Sequence, residues 1–450
     1  MHRHNEEYTE LIRKMFPGKG TEKGAIARNV TIQVTGDCNL RCSYCYEHHK
    51  SCGAMSRETG ERIVDHLIDL WEDGTGDDTG DFINRDTQGI VLDFIGGEPL
   101  LEAELIEHIL DYWFQQCWQR QCPLGPRMRA SFATNGQVWF TPEVQHLLAK
   151  YHEFMAVTVS IDGVPQLHDK YRLTPAGQGS FDKAWAAFQD ARRYGWTGSK
   201  MTFVPESFPF ILPSIQQMVQ AGCEDILCNY AFEPVYTAQD AAVLYDQLRQ
   251  VSEWLLDTAP DVWVSILDET IGEPDPQDHN WCGGTGAMLA FAPDGKAYPC
   301  IRYAPISIGQ DRAAPMCLGD CYAGLYATQA QRDTKAMLDS ITLTSQSTEE
   351  CIHCPVATGC GWCSGYNYEC TGTPNKRITH ICLAHKARVL AACYYYNKRF
   401  CTLGDCAPKP IHLPRAEAES LIGKAAADEL WRWQAQAAER VRQKTSKEDV

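Results

Sequence analysis

No stretch of this 450-residue chain approaches the roughly 18 apolar residues in a row that a membrane-crossing helix needs. No apolar segment follows Met1 either, since His2 to Glu7 are polar, so the pattern of a secretory signal is missing. Both absences point to a cytoplasmic protein. Positive charge is scarce: 41 Lys and Arg stand against 58 Asp and Glu, a formal charge of −17. A field of that sign repels phosphates and argues against a nucleic-acid partner. Internal repeats and low-complexity tracts are also lacking. Cysteine, by contrast, is abundant, with 21 residues. In a reducing compartment such a number argues for metal or cluster ligation over disulfides, because most of these cysteines fall in short-gap groups.

The tightest group is Cys38, Cys42 and Cys45, in the run Thr35-Gly36-Asp37-Cys38-Asn39-Leu40-Arg41-Cys42-Ser43-Tyr44-Cys45-Tyr46. Thiolates are the soft ligands that iron–sulfur clusters require, and two short gaps bring three of them to one point. Structural zinc wants four ligands from paired knuckles, and this loop offers no fourth Cys or His before His48. Three cysteines suit three corners of a cubane and leave its fourth iron without a protein ligand, where chemistry can occur.

Around this loop the chain alternates. Short β-branched or apolar runs at Val30 to Val34, Val91 to Ile95, Ala130 to Thr134, Ala156 to Ile161, Lys200 to Val204 and Asp225 to Phe232 read as strands. Helix-like segments lie between them at Glu58 to Trp71, Glu102 to Trp118, Pro142 to Tyr151, Phe181 to Tyr194 and Ile211 to Ala221. Thr141 caps the third of these, with Pro142 in its first position. Six strand–helix units in this order predict parallel strands with right-handed crossovers. A partial (β/α)6 TIM-like barrel fits better than a doubly wound sheet, because the chemically loaded turns all follow strand C-termini. Six units would leave a side opening for a long substrate. We expect an N-terminal extension over 1–29, holding one helix around Tyr8 to Met15, and the barrel over 30–235. A bridging region over 236–281 contains a helix from Gln239 to Leu256 and a Pro-rich stretch from Gly272 to Asp278. A cysteine-dense region follows over 282–395, and the tail over 396–450 has one amphipathic helix from Glu417 to Gln443.

Cys38-x3-Cys42-x2-Cys45 resembles the radical S-adenosylmethionine enzymes, in company with Gly96-Gly97-Glu98-Pro99, Ala133-Thr134-Asn135-Gly136 and Ser160-Ile161-Asp162-Gly163 at the next three strand ends. The resemblance implies that these cysteines hold a [4Fe–4S] cluster and that Tyr44 lies against the adenine of S-adenosylmethionine. It further implies that Gly96 and Gly97 let backbone approach the methionyl amine, with Glu98, Asn135 and Asp162 in the same pocket. Ser160 would lie on the ribose side, and Arg172 would meet the cofactor carboxylate. The implied chemistry is one-electron cleavage of the sulfonium bond, giving methionine and a 5′-deoxyadenosyl radical that abstracts a substrate hydrogen.

The later cysteines resemble the SPASM extension of radical enzymes that act on peptides, with Asp294-Gly295 closing a hairpin between Cys282 and Cys300. Carried over by position, Cys351, Cys354, Cys360 and Cys382 would hold a distal auxiliary cluster, and Cys282, Cys300 and Cys363 a nearer one, for three [4Fe–4S] clusters in all. The family's sulfatase-maturing members have a further cysteine where this chain has Met288, and an acidic residue where it has Ile301. Cys317, Cys321 or Cys370 could supply a fourth ligand; otherwise the near cluster could bind a substrate thiolate. Cys52, Cys117, Cys122, Cys223, Cys228, Cys393, Cys401 and Cys406 read as buried fillers or free thiols.

The stretches Trp281 to Met288, Cys360 to Tyr368 and Gly372 to Arg377 look like the maturases of peptides with CXXX repeats. That likeness implies a ribosomal, cysteine-containing precursor peptide as partner, thioether crosslinking as the reaction, and an electron donor such as flavodoxin or ferredoxin. The alternatives are a sulfatase-maturing enzyme, a maturase forming carbon–carbon bonds or epimerising residues, and a multi-cluster electron carrier. About 29 residues precede the first strand, fewer than a leader-binding domain needs. Leader recognition is therefore expected at the barrel edge, on the C-terminal helix or on a separate protein.

Overall fold

The computed structural model describes residues 27–51, 53–74, 82–268, 282–357 and 360–448. The expected helix at Tyr8 to Met15, Cys52, the Pro-rich stretch at Gly272 to Asp278 and Trp281 lie outside the described residues.

Strand β1 (Ala27–Thr35) leads through the cysteine loop to α1 (Arg57–Asp73), then β2 (Gly89–Gly96), α2 (Ala103–Gln119), β3 (Met128–Thr134), α3 (Pro142–Tyr151) and β4 (Met155–Ser160). Next come α4 (Pro165–Tyr171), α5 (Phe181–Ala191), β5 (Gly198–Phe203), α6 (Ile211–Gln220), β6 (Asp225–Tyr230) and α7 (Ala238–Thr258). Thr141 caps α3 as expected, and Ser56 does the same for α1. Ser56 accepts from the Thr59 amide at 3.0 Å to start α1, and Thr141 accepts from Val144 at 3.5 Å to start α3.

Strands β1 to β6 lie side by side in chain order, all parallel, with registers such as Val30 to Leu92 and Leu92 to Ala130. Alternate side chains point to opposite faces. On β2, Ile90, Leu92 and Phe94 are buried under the helices. Their neighbours Val91, Asp93 and Ile95 are only half-buried on the inner face. On β5 and β6 that face carries Lys200, Thr202, Leu227 and Asn229, and Leu227 is 41% exposed. The lumen is therefore open and polar, unlike the filled core of an eight-stranded barrel.

The hairpin β7 (Met288–Phe291) and β8 (Lys296–Tyr298) turns at Gly295, whose φ of +82° suits glycine. Its first strand adds in parallel to the free side of β1, pairing Val30 with Leu289. The cysteine-dense region is thus joined to the barrel by backbone hydrogen bonds as well as by packing. Beyond it lie α8 (Ser364–Thr371), α9 (Cys382–Thr402), α10 (Arg415–Ile422) and α11 (Lys424–Glu448). Helix α9 packs on α7 and α11 and runs unbroken through the expected border at 395/396. The tail forms two helices where one was expected, because Gly423 takes a φ of +81° that ends α10 and redirects the chain. Among the described residues, no helix is long and apolar enough to cross a membrane.

Candidate functional site

The cysteine loop is held by its own backbone and by the strand ends below it. Asp37 Oδ1 accepts from the Cys38 amide at 2.8 Å, and the Arg41 guanidinium donates to the carbonyls of Cys38 and Leu40 at 2.5 and 2.8 Å. Arg41–Cys42 pairs antiparallel with Arg172–Leu173, and Ser43 N donates to Tyr171 O at 3.0 Å. This small sheet brings Arg172 beside Cys42, two residues that are 130 positions apart in sequence.

Cys38, Cys42 and Cys45 stand within electrostatic reach of one another. Burial pushes the Cys38 thiol up to about 12, with the Leu40 amide pulling the other way. Lys50 Nζ reaches Cys45 Sγ at 3.1 Å and Glu47 at 3.2 Å. Thiols raised by burial become thiolates when a metal centre takes the proton's place. Among the described residues, no three His, Cys, Asp or Glu side chains draw close enough to hold a single metal ion. Three cysteines in one loop suit three corners of a cluster better than a four-ligand zinc site.

Asp162 is the hub beside them. It is completely buried, and its carboxylate accepts from Arg172 Nε at 2.8 Å and Nη2 at 3.1 Å, from the Thr202 amide at 3.0 Å, and from the Tyr44 hydroxyl. Burial pushes its pKa up, but the Arg172 charge and these hydrogen bonds win and hold it below the usual carboxylate range. Arg172 also lies 5.5 Å from the Tyr44 ring centroid. Its Nε and Nη2 are thus committed to Asp162, a pairing the sequence reading had not placed there. His168 was missed altogether. Its Nδ1 accepts from the Asp162 amide at 3.3 Å, and its Nε2 lies 3.0 Å from Ser180 Oγ, which itself donates to Arg172 O at 2.6 Å. That network assigns the Nε2–H tautomer. Burial and the Arg172 charge push the ring down to about 4, so it stays neutral.

Glu98 ties the second and third strand ends together. It is 1% exposed and accepts from Thr134 Oγ1 at 2.7 Å, Asn135 N at 2.8 Å and Leu100 N at 3.2 Å. Burial pushes its pKa up to about 7 against these donors. Asn135 in turn donates to Asn39 Oδ1 at 2.6 Å, inside the cysteine loop. Ser160 is buried at the end of β4. The glycines have a reason on the page: a Cβ at Gly97 would fall 2.3 Å from Asp37 O and 2.6 Å from Cys38 Cβ, and one at Gly96 would lie 2.8 Å from Thr35 O. Both let β2 close on the cysteine loop. We expect Gly97→Ala to fold its barrel yet displace that loop, so that anaerobic reconstitution takes up fewer iron atoms than the parent; equal iron content would contradict this.

The later cysteines form two groups. Cys300 is within electrostatic reach of Cys363 and Cys282. Cys382 feels Cys351 and Cys354, and Cys360 feels Cys382 and Cys354. Cys363 is the N-cap of α8, its sulfur accepting from Tyr366 N at 3.4 Å, where helix-end amides favour a thiolate. The cysteines left open as fourth ligand stand elsewhere. Cys321 Sγ would meet a Gly295 Cβ at 2.7 Å, at the hairpin tip, and Cys317 faces Lys296 and Asp294 there. Gly295 at that tip is five positions from Cys300, roughly 16 Å along extended chain. Cys370 is exposed on α8, about 10 Å along the axis from Cys363. Cys117, Cys122, Cys223, Cys228 and Cys393 are buried, as fillers are expected to be.

Residues 32–207 match the model of the Radical SAM superfamily. A cysteine-type anaerobic sulfatase-maturating enzyme of Clostridium novyi is 28% identical over 170 residues, 36% of this chain and 39% of that protein. The chain spans from 24% to 62% of the length of the first curated relatives it matches. Among solved structures, anSMEcpe with bound AdoMet and the Kp18Cys peptide is 17% identical, with a TM-score of 0.61, covering 84% of this chain and 99% of that one. Streptococcus suis SuiB bound to its precursor peptide SuiA is 13% identical, with a TM-score of 0.51, covering 84% and 80%. These structures share the fold, and they extend the likeness past the barrel. Over residues 32–207 the chain carries a domain of the Radical SAM superfamily, a domain that implies S-adenosylmethionine and one [4Fe–4S] cluster as its cofactors.

Proposed function

We propose that this enzyme modifies a ribosomally made peptide, most specifically by joining a cysteine sulfur to a carbon of a nearby residue. The observation that carries the reading is the separation of the later cysteines into a group of three, Cys282, Cys300 and Cys363, and a group of four, Cys351, Cys354, Cys360 and Cys382. Four thiolates close a cluster, whereas three leave one iron for another sulfur, and a substrate cysteine held there would be a thiolate near the barrel mouth. Cys38, Cys42 and Cys45 would hold the cluster that binds S-adenosylmethionine. When bound and reduced, that pair supplies a 5′-deoxyadenosyl radical able to take a hydrogen atom from a carbon.

The chain's own residues orient and enclose. Tyr44 is fixed by Asp162 and Arg172, giving an aromatic face beside Cys42. Gly97 and Glu98 seat the loop on β2 and β3. The open lumen, lined by Asp93, Thr202 and Asn229, has room and hydrogen-bonding groups for an extended backbone. Peptide-bound neighbours of the same fold support a peptide as partner. Ile301 follows Cys300 where an acidic group would serve formylglycine chemistry, which favours the thioether over that alternative.

The test is co-expression with peptides encoded beside the gene. We expect one product lighter by two hydrogen atoms whose cysteine no longer alkylates. A product that reacts with hydrazides would reveal an aldehyde and overturn the thioether reading, and unmodified peptide from active enzyme would overturn the peptide assignment.

A further inference from the structure

Between the two groups of three cysteines lies a buried cation that neither group uses as a ligand. Arg302 is 9% exposed, two residues after Cys300, and its own amide hydrogen-bonds the Cys300 sulfur. Its guanidinium carbon lies 4.6 Å from the ring centroid of Tyr46, the residue after Cys45, and 5.1 Å from that of Tyr366 on α8. Nη1 donates to Glu233 at 2.8 Å and Nη2 to Glu369 at 3.1 Å, while the buried Nε has no partner among the described residues. Room for this is made by Gly365, where a Cβ would fall 2.5 Å from Arg302 Cβ. Tyr46 is half-buried and within electrostatic reach of both Cys45 and Cys300. Tyr46 and Arg302 therefore fill the space between the radical SAM loop and the nearer auxiliary site.

Desolvating a guanidinium is costly and must be compensated. Its two carboxylates are the more water-exposed partners, with side chains 30% and 19% exposed against 11% for the arginine. Solvent screens them more than it screens the cation, which is anchored at the Cys300 sulfur by its own amide.

We propose that Arg302 is a positioning residue that sets the reduction potential of the auxiliary cluster held by Cys282, Cys300 and Cys363, making that cluster easier to reduce. It rests on the reading of those cysteines as a cluster site. The step is [4Fe–4S]2+ taking one electron from a low-potential one-electron donor to become [4Fe–4S]1+; no bond breaks and no proton moves. The added negative charge is stabilised by a neighbouring cation, and net charge around the sulfurs is one of the levers on such potentials.

Redox titration with dithionite, followed by electron paramagnetic resonance of the reconstituted full chain, tests this. Arg302→Met should lower the reduced-to-oxidised ratio at the parent midpoint roughly tenfold, about 59 mV for a one-electron couple. Arg302→Lys should recover most of that shift. Glu233→Gln, which removes a negative charge and keeps Arg302, should move the midpoint the opposite way, so the proposal stays testable if Arg302→Met assembles poorly. An unmoved midpoint in these variants, or shifts of the same sign for Arg302→Met and Glu233→Gln, overturns it. A Cys300→Ala, Cys363→Ala double variant tests the underlying site separately: it should lose about four iron atoms per chain. Unchanged iron there would remove the cluster itself, a failure distinct from an unmoved potential.

Discussion

Replacing Cys38, Cys42 and Cys45 together by alanine should abolish reductive cleavage of S-adenosylmethionine and, with the two proposed auxiliary clusters retained, leave about two thirds of the iron in place. The three thiols form one site through the loop hydrogen bonds of Asp37, Arg41 and Cys45 with their neighbours. Structural damage should be small, because α1, β2 and β3 are held by their own caps and ladders. Iron and sulfide analysis beside nucleotide assay checks both halves of the expectation. Residual cleavage at parent rates would show that the nucleotide binds elsewhere.

Asp162→Asn carries the largest expected cost in stability. The carboxylate receives the Arg172 fork, the Thr202 amide and the Tyr44 hydroxyl, all at a completely buried position. An amide offers one oxygen and turns an NH2 group toward donors. Arg172 is left as a buried charge without its counter-ion, which costs about 3–5 kcal/mol. Anaerobic denaturant titration should show that loss, with weaker binding of S-adenosylmethionine because Tyr44 is no longer fixed. Adding Arg172→Met should restore part of the stability, since the orphaned charge goes with it; additive losses would mean the two residues are not coupled.

The barrel was legible because period-two runs and helical stripes alternate along the chain, with Gly, Asn or Asp in the turns after the first four strands. Local signals also placed the α3 cap and the hairpin turn at Gly295, both decided within a few residues. What escaped depends on distant partners. Nothing near Met288 says that β7 will lie along β1, more than 250 residues earlier. The pairing of Arg172 with Asp162 is likewise set by folding, since it joins a strand end to the small sheet made with the cysteine loop. Helix α9 crosses the expected domain border because Val389, Leu390 and Tyr394 pack in the core against helices far away in sequence. The break at Gly423 carried a signal, a lone glycine inside a helical pattern, and it proved to be a true stop. Arg302 could not be found from sequence, because its place between two cysteine groups exists only after folding.

The central claim is that the Cys38, Cys42 and Cys45 loop forms a reactive iron–sulfur site that grips a sulfonium nucleotide. Anaerobic, reconstituted protein given dithionite and S-adenosylmethionine should release methionine and 5′-deoxyadenosine in equal amounts. An intact nucleotide beside protein carrying its full iron and sulfide would contradict the account.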